Sequence, residues 1–193
     1  MLDAAPMRII AGTLKGRAIR TPEGRNTRPT SDRARESLLN VLAHAAWAPG
    51  LEGVRVIDAF AGSGALGFEA ISRGAAFCLF VETEAAARGC IRGNVEAFQL
   101  FGNTRIHRRS ATDLGLKPAG LGAPFDLVFM DPPYAQGLVP LALEQLVSGQ
   151  WLSPEALVVA EVGSDEPALE APGWSILDER TYGAASVYFL RRG

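Results

Sequence analysis

The four residues Asp131-Pro132-Pro133-Tyr134 combine a carboxylate, a rigid turn and an aromatic ring. They follow an apolar run at 125–130 that is typical of a buried strand, which the prolines end abruptly. The Asp131 carboxylate and the Pro132 carbonyl can accept hydrogen bonds from the two protons of a planar, amide-like nitrogen. These bonds return electron density to that nitrogen and aim it at an electrophile, while Tyr134 can stack on a nucleobase that carries it. The motif therefore indicates group transfer to an exocyclic amine, although a turn that merely ends a strand is the alternative.

A second candidate site is the glycine-rich turn at 58–67. Residues 62–67 fit the G-x-G-x-x-G pattern of a dinucleotide site, and Glu82 follows where it can accept hydrogen bonds from ribose hydroxyls. However, Asp58 stands before the glycines, where its charge would repel a pyrophosphate. A carboxylate there suits a ligand with a cationic amino-acid part. The combination favours S-adenosylmethionine; a nicotinamide dinucleotide and a purely structural turn are the weaker alternatives.

These two motifs require a parallel sheet that brings the carboxyl ends of their strands together. The alternating pattern predicts strands at 54–58, 77–82, 105–108, 125–130 and 157–161, with helices at 65–73, 84–100 and 138–147. Residues 174–179 and 185–190 are predicted to form a closing antiparallel pair. Strands that alternate with helices indicate an α/β fold with helices on both faces of the sheet.

The N-terminal part of the chain is basic. Residues 1–36 carry eight basic and four acidic groups, so the remainder of a chain with net charge −2 carries −6. Two short β-type runs at 8–12 and 17–20 predict a hairpin, a polar loop follows at 21–30, and a helix is expected to begin at Ser31 or Asp32. Together with Arg33 and Arg35, these elements would form a positive platform. A polyanionic partner and a merely solvated arm are equally compatible with the charge alone.

The composition excludes several classes of protein. A chain of 193 residues with 48% hydrophobic content can bury a proper core, and its apolar runs are shorter than a membrane span. The first residues lack the features of a secretory signal, and the two cysteines suit reduced thiols, so we expect a cytoplasmic protein. With two histidines in the chain, no metal site is expected.

The two motifs together resemble the amino-methyltransferases of the Rossmann-like class. Several further N-terminal segments, at 8–12, 15–17, 27–33 and 35–36, resemble one family within that class. This family comprises the RsmD-type methyltransferases that act on the N2 amine of a guanine in 16S ribosomal RNA. The similarity covers almost the whole chain, and the run at 28–36 is its specific part, because Asp-Pro-Pro-Tyr is shared with DNA adenine methylators.

The resemblance implies a fold and a set of site residues. The fold would be a Rossmann-like seven-stranded sheet, mostly parallel with an antiparallel C-terminal strand and flanked by helices. An N-terminal hairpin extension (1–30) would precede the methyltransferase domain (31–193), and the protein would be a monomer acting on 16S ribosomal RNA within the 30S subunit or its assembly intermediate. The catalytic residues would be Asp131, Pro132 and Tyr134; S-adenosylmethionine would be bound by Asp58, Phe60, Gly62, Gly64, Glu82 and Ser110; RNA would be bound by Arg8, Lys15, Arg17, Arg28 and Arg33.

One position departs from the family pattern. Where such proteins commonly place an aspartate toward the adenine amine, this chain has Ser110, and Asp113 follows three residues later. Either residue could make the contact. DNA adenine N6 methylation and a non-catalytic RNA-binding module are the alternative functions, and the preference for guanine over adenine rests on the N-terminal resemblance alone.

Overall fold

The structure is a computed structural model that describes residues 6–23 and 31–193. In the described residues, the strands are β1 (Arg55–Ala59), β2 (Phe77–Val81), β3 (Thr104–His107), β4 (Phe125–Met130), β5 (Leu152–Gly163), β6 (Trp174–Tyr182) and β7 (Ala185–Arg192). The α-helices are α1 (Asp32–His44), α2 (Ala65–Ser72), α3 (Ala85–Phe98) and α4 (Leu138–Ser148). The strands form one sheet in the order β3-β2-β1-β4-β5-β7-β6.

The strand directions confirm the predicted fold class. Strands β1 to β5 run parallel, whereas β7 lies antiparallel between β5 and β6. The sheet is therefore mostly parallel, with an antiparallel C-terminal strand and flanking helices, as predicted. Strand β5 begins earlier than the predicted 157, because its polar first half pairs Leu152 with Phe125 before a register shift.

The strand order reverses between β1 and β4. Strand β1 pairs with β2 on one side and with β4 on the other. In open α/β sheets, ligands bind outside the carboxyl ends of the strands at such a reversal, because the flanking connections leave in different directions. The register that pairs Ala59 with Met130 brings the glycine turn after β1 beside the Asp131 turn after β4.

Side chains alternate between two buried faces of the sheet. On one face, Val56, Phe80 and Phe129 pack in a core with residues of α1, α2 and α3. On the other, Ile57 and Val128 pack with residues of α4 and with Trp151. Alternate residues of a strand point to the same face of the sheet. Four acids therefore lie on the face that α1, α2 and α3 cover: Asp58, Glu82, Asp131 and Glu161.

The N-terminal segment forms a narrow hairpin that packs on the body. Its described β pairing is the single antiparallel bridge between Arg8 and Ala18. Ile9 and Ile19 are 2% and 3% exposed and belong to the core under α1, α2 and α3. Backbone N–H groups of the hairpin donate to α2, from Ile10 to Glu69 Oε1 (2.6 Å) and from Leu14 to Ser72 Oγ (2.9 Å). Residues 6–23 and the sheet therefore share one core.

The predicted positive platform needs a correction at Arg35, which is 1% exposed. Its guanidinium lies 3.4 Å from Glu69 Oε1 and donates to the Arg8 carbonyl at 2.7 Å. Arg35 therefore joins α1, α2 and the hairpin inside the protein and is not part of a cationic surface. Helix α1 begins as predicted, since the Ser31 hydroxyl accepts a hydrogen bond from the Ala34 N–H.

Among the residues that the structure describes, we find no helix with the length and apolarity that crossing a bilayer would require.

Candidate functional site

A cavity of about 790 Å³ lies at the carboxyl ends of β1, β2, β4 and β5. This volume is in the range of small-molecule sites. Most of the residues predicted to bind the cofactor or to act in catalysis line it: Asp58, Phe60, Gly62, Glu82, Ser110, Asp131, Pro132 and Tyr134. Gly64 does not line the cavity. Their roles stay predictions, but the two motifs do border one cavity.

The first wall of the cavity is the glycine turn between β1 and α2. Gly62 and Gly64 have φ of +57° and +81°, values that favour glycine. At Gly64 a Cβ would also lie 2.8 Å from the Phe68 ring, so a side chain has no room there. Gly64 therefore shapes the turn by starting α2.

The Asp58 carboxylate occupies the N-terminal end of α2. Its Oδ2 accepts a hydrogen bond from the Gly67 N–H at 3.0 Å, while the N-cap residue Gly64 offers no side chain for that purpose. In dinucleotide sites, the helix N-terminus binds the pyrophosphate. Here a carboxylate takes that position, which argues against a pyrophosphate ligand. Burial raises the pKa of Asp58 well above its usual value, with smaller increases from the charges of Asp131 and Glu82.

Glu82 fixes the same turn from the end of β2. One carboxylate oxygen accepts from the Gly62 N–H and the other from the Glu84 N–H, both at 2.8 Å. Because each carboxylate oxygen has two lone pairs, these bonds leave acceptor capacity for a ribose hydroxyl. Glu82 thus both orders the turn and borders the cavity.

The second wall is the Asp131 turn after β4. Burial, and then the negative charge of Glu161, raise the pKa of Asp131 to about 7. The Tyr134 hydroxyl donates to Glu161 Oε1, which ties the turn to β5. An Asp131 carboxyl with this pKa can accept hydrogen bonds when ionised and can also take up a proton near neutral pH.

Glu161 is a cavity residue that the sequence reasoning missed. It follows the apolar run Leu157-Val158-Val159-Ala160, as Asp58 and Asp131 follow the apolar runs of β1 and β4. An acid directly after the apolar run of a buried parallel strand was therefore the signal that could have identified it.

The cavity is acidic and suits a cationic ligand. It is bordered by four carboxylates from the carboxyl ends of four parallel strands, Asp58, Glu82, Asp131 and Glu161, and by two arginines, Arg35 and Arg109, which pair with Glu69 and Asp113. The pKa increases at Asp58 and Asp131 come first from burial and then from the negative charges of neighbouring carboxylates. A ligand with positive centres would relieve that repulsion, whereas a phosphate would increase it. The described residues contain no group of three or more His, Cys, Asp or Glu arranged to hold a metal ion.

Ser110 and Asp113 differ in position. Ser110 lines the cavity together with Thr112, and their hydroxyl oxygens are 2.8 Å apart. Asp113 is exposed and pairs with Arg109 at 3.5 Å. The Ser110–Thr112 pair, and not Asp113, is thus available to a ligand in the cavity.

The described residues among those predicted to bind RNA lie outside the cavity. Lys15 and Arg17 are at the turn end of the hairpin, beside the C-terminal ends of α2 and α3, and Arg17 donates to the Ala97 carbonyl. Arg8 and Arg33 are exposed, on the hairpin and on α1. Arg28 falls outside the described residues. At the other end of the hairpin, Met7 and Pro22 line the cavity, so this segment connects the basic surface to the site.

A family comparison agrees with this geometry. The model of the family described as "Conserved hypothetical protein 95" matches residues 7–191. The chain belongs to this family. The resemblance to RsmD-type proteins is thereby confirmed, since curated relatives carry the matching name.

Two of those relatives are named "Ribosomal RNA small subunit methyltransferase D". The protein from Haemophilus influenzae is 34% identical over 93% of this chain and 91% of its own length, and that from Escherichia coli is 35% identical over 96% and 90%. A "Putative rRNA methyltransferase" from Bacillus subtilis is 32% identical over 96% and 99%. The solved structure of a putative methyltransferase from Escherichia coli has a TM-score of 0.82 and 35% identity over 96% of this chain and 97% of its own.

Proposed function

We propose that this protein transfers a methyl group from S-adenosylmethionine to the exocyclic N2 amine of a guanine in 16S ribosomal RNA of the small subunit. The observation that carries the proposal is the single cavity in which the Asp131 turn faces the Asp58–Glu82 turn. The relatives named as small-subunit ribosomal RNA methyltransferases support the substrate class.

The residues present fit S-adenosylmethionine. When bound, that ligand supplies a methyl group on a positively charged sulfur, together with a cationic amino group. The acidic cavity favours both charges, and the Asp58 carboxylate at the start of α2 disfavours a phosphate. Glu82 would accept hydrogen bonds from the ribose, and Ser110 with Thr112 would border the adenine.

The Asp131 turn would bind and activate the amine. Asp131 and the Pro132 carbonyl accept hydrogen bonds from the two amine protons, which directs the nitrogen lone pair toward the methyl group. As the nitrogen bonds to the methyl carbon, the bond from that carbon to sulfur would break and leave its electron pair on sulfur. The amine would then lose a proton, which the ionised form of Asp131, with a pKa of about 7, can accept. Tyr134 stacks on the base, and its bond to Glu161 fixes the ring.

The test is methyl transfer to 30S particles that lack the modification. The wild type should incorporate methyl groups. Asp131→Ala should lower the rate by about 100-fold or more, in line with the loss of a group that orients and deprotonates the acceptor. Its affinity for the demethylated product, measured by calorimetry, should change only a few-fold. Asp165→Ala is the matched control, because Asp165 is exposed and outside the cavity.

Two other outcomes separate the alternatives. Transfer to duplex DNA in place of the particle would assign the site to adenine N6 methylation. Tight RNA binding with no affinity for S-adenosylmethionine would indicate a non-catalytic RNA-binding module. Either result, or no incorporation into 30S particles and 16S RNA, would overturn the proposal.

A further inference from the structure

Glu161 lies beside Asp131 on the neighbouring strand. The parallel register pairs Met130 of β4 with Ala160 of β5, so the next residues along each chain, Asp131 and Glu161, are adjacent. Neighbouring strands are about 4.8 Å apart, and side chains at paired positions point to the same face. Both acids line the cavity. Two carboxylates at this spacing repel each other, which lowers the stability of the folded protein. Stability alone therefore does not explain why an acid stands at position 161.

The surroundings of Glu161 fix where its carboxylate stands. The residue is 8% exposed, and its Oε1 accepts the hydroxyl proton of Tyr134. A carboxylate has acceptor sites for about four hydrogen bonds, so the bond from Tyr134 is compatible with a further one from a base in the cavity. Glu161 therefore contacts the Tyr134 hydroxyl and borders the same cavity as Asp131.

The hydrogen-bond donors and acceptors on the edge of a base determine whether the base fits this pair of acids. In guanine, the N2 amine is next to a ring nitrogen, N1, that carries a proton. In adenine, the ring nitrogen next to the N6 amine carries none and is itself an acceptor. We infer that Glu161 is the specificity-determining residue of the site and accepts the N1–H of guanine while Asp131 accepts from the neighbouring amine. This inference rests on the proposed function and adds to it the residue that selects the base.

An adenine in the same position would place its N1 lone pair against a carboxylate. A site built to accept a hydrogen bond strongly rejects an analogue that lacks the donor, because the buried acceptor then loses its partner. The charge of Glu161 also raises the pKa of Asp131, which agrees with a close approach of the two acids. Glu161 thus gives this chain its own reason to prefer guanine, independent of the N-terminal resemblance.

The experiment uses 2-aminopurine, which keeps the 2-amino group of guanine but has no proton on N1. The methylated position is first mapped in 30S particles, and particles are then reconstituted from ligated 16S RNA that carries guanine or 2-aminopurine at that position. The readout is the ratio of kcat/KM for the two particles. The wild type should prefer guanine by about 100-fold or more.

Glu161→Gln should reduce that preference by at least about 10-fold, because an amide can donate to the unprotonated N1 while it accepts less well from guanine. Glu161→Asp keeps the charge and should retain the preference at a lower rate. Tyr134→Phe removes the hydroxyl and should lower the rate without changing the preference. Glu155→Gln, an exposed glutamate of the same strand, should change neither.

An unchanged preference in Glu161→Gln, with normal affinity for the demethylated product, would overturn the inference and leave the proposed function standing. A wild type that methylates both particles equally would overturn it as well, even if the variant failed to fold. No transfer to the guanine particle by the wild type would instead overturn the proposed function, and the inference with it.

Discussion

The buried Asp131 side chain lowers the stability of the folded protein when its carboxyl is ionised. Its carboxyl has a pKa of about 7 because burial, and the charge of Glu161, disfavour the ionised form. The ordinary value of 3.8 applies in the unfolded chain. At pH values between 3.8 and about 7, the Asp131 carboxyl is mostly protonated in the folded protein and mostly ionised in the unfolded chain. The contribution of Asp131 to stability is therefore most favourable below pH 4 and is lost as the pH rises through 7.

Asp131→Asn should accordingly stabilise the protein at pH 8, by an amount on the order of a few kcal/mol, and should change its stability little at pH 4. The asparagine keeps the shape of the side chain and removes its charge. Urea unfolding at the two pH values measures the effect. Asp165→Asn, at an exposed position, should show no such pH-dependent gain. Equal effects of Asp131→Asn at both pH values would contradict the raised pKa.

Some acids of the site could be identified from the sequence, whereas Glu161 was missed. Asp58 and Asp131 could be identified because each follows an apolar run and adjoins a glycine or proline turn. Glu161 follows the same kind of run, but no turn motif marks it, and its importance arises from the register of β4 with β5. The burial of Arg35 was not predictable for a similar reason, since Glu69 and the Arg8 carbonyl come from separate parts of the chain.

At the scale of elements, the contact between the hairpin and α2 determines how the N-terminal segment is held. Gly12 has φ of +84°, and a Cβ there would lie 1.8 Å from the Ser72 carbonyl oxygen. The Thr13 N–H donates to the same oxygen at 2.8 Å, and the Leu14 N–H donates to the Ser72 hydroxyl. Glycine is therefore required at position 12 both for its backbone conformation and for the close approach.

Gly12→Ala should destabilise the protein more than Gly16→Ala. Gly16 has a similar φ of +81°, but nothing lies within 4 Å of its Cβ position. The strain from positive φ should cost each variant about 1–2 kcal/mol. The clash with Ser72 should cost Gly12→Ala a further 1–3 kcal/mol or so. Urea unfolding measures the difference, and equal losses would show that the hairpin can move away from α2 freely.

The central elements were predictable because β1, β2 and β4 are continuous apolar runs between glycine or proline turns, a pattern typical of buried parallel strands. The first half of β5 was not, since Ser153-Pro154-Glu155 is polar and lies at the irregularity between the Phe125–Leu152 and Leu127–Leu157 pairs. The hairpin was predicted, but the backbone N–H bonds to Glu69 and Ser72 that dock it depend on residues about 60 positions away.

At the scale of the whole molecule, the distribution of charge assigns the two proposed ligands, S-adenosylmethionine and RNA, to different surfaces. The acidic cavity repels phosphates, so an RNA backbone must be held elsewhere while one base enters. The hairpin carries exposed basic residues on its outer surface and places Met7 and Pro22 at the cavity. An RNA bound along the hairpin would therefore lie beside the cavity without placing its backbone among the four carboxylates.

Lys15→Ala should weaken binding to 30S particles and make that binding less sensitive to salt. Each phosphate contact releases counterions, so removing one should lower the slope of log K against log salt by about 0.7–0.9. Lys117→Ala is the control, because Lys117 lies near the amino ends of β4 and β5, away from the hairpin. Its backbone N–H donates to the Gly149 carbonyl and its side-chain Nζ to the Gly122 carbonyl. Filter binding over a range of salt measures both slopes. Equal slopes for the two variants would show that Lys15 makes no phosphate contact, and the other exposed basic residues, such as Arg33 of α1, would then have to make it.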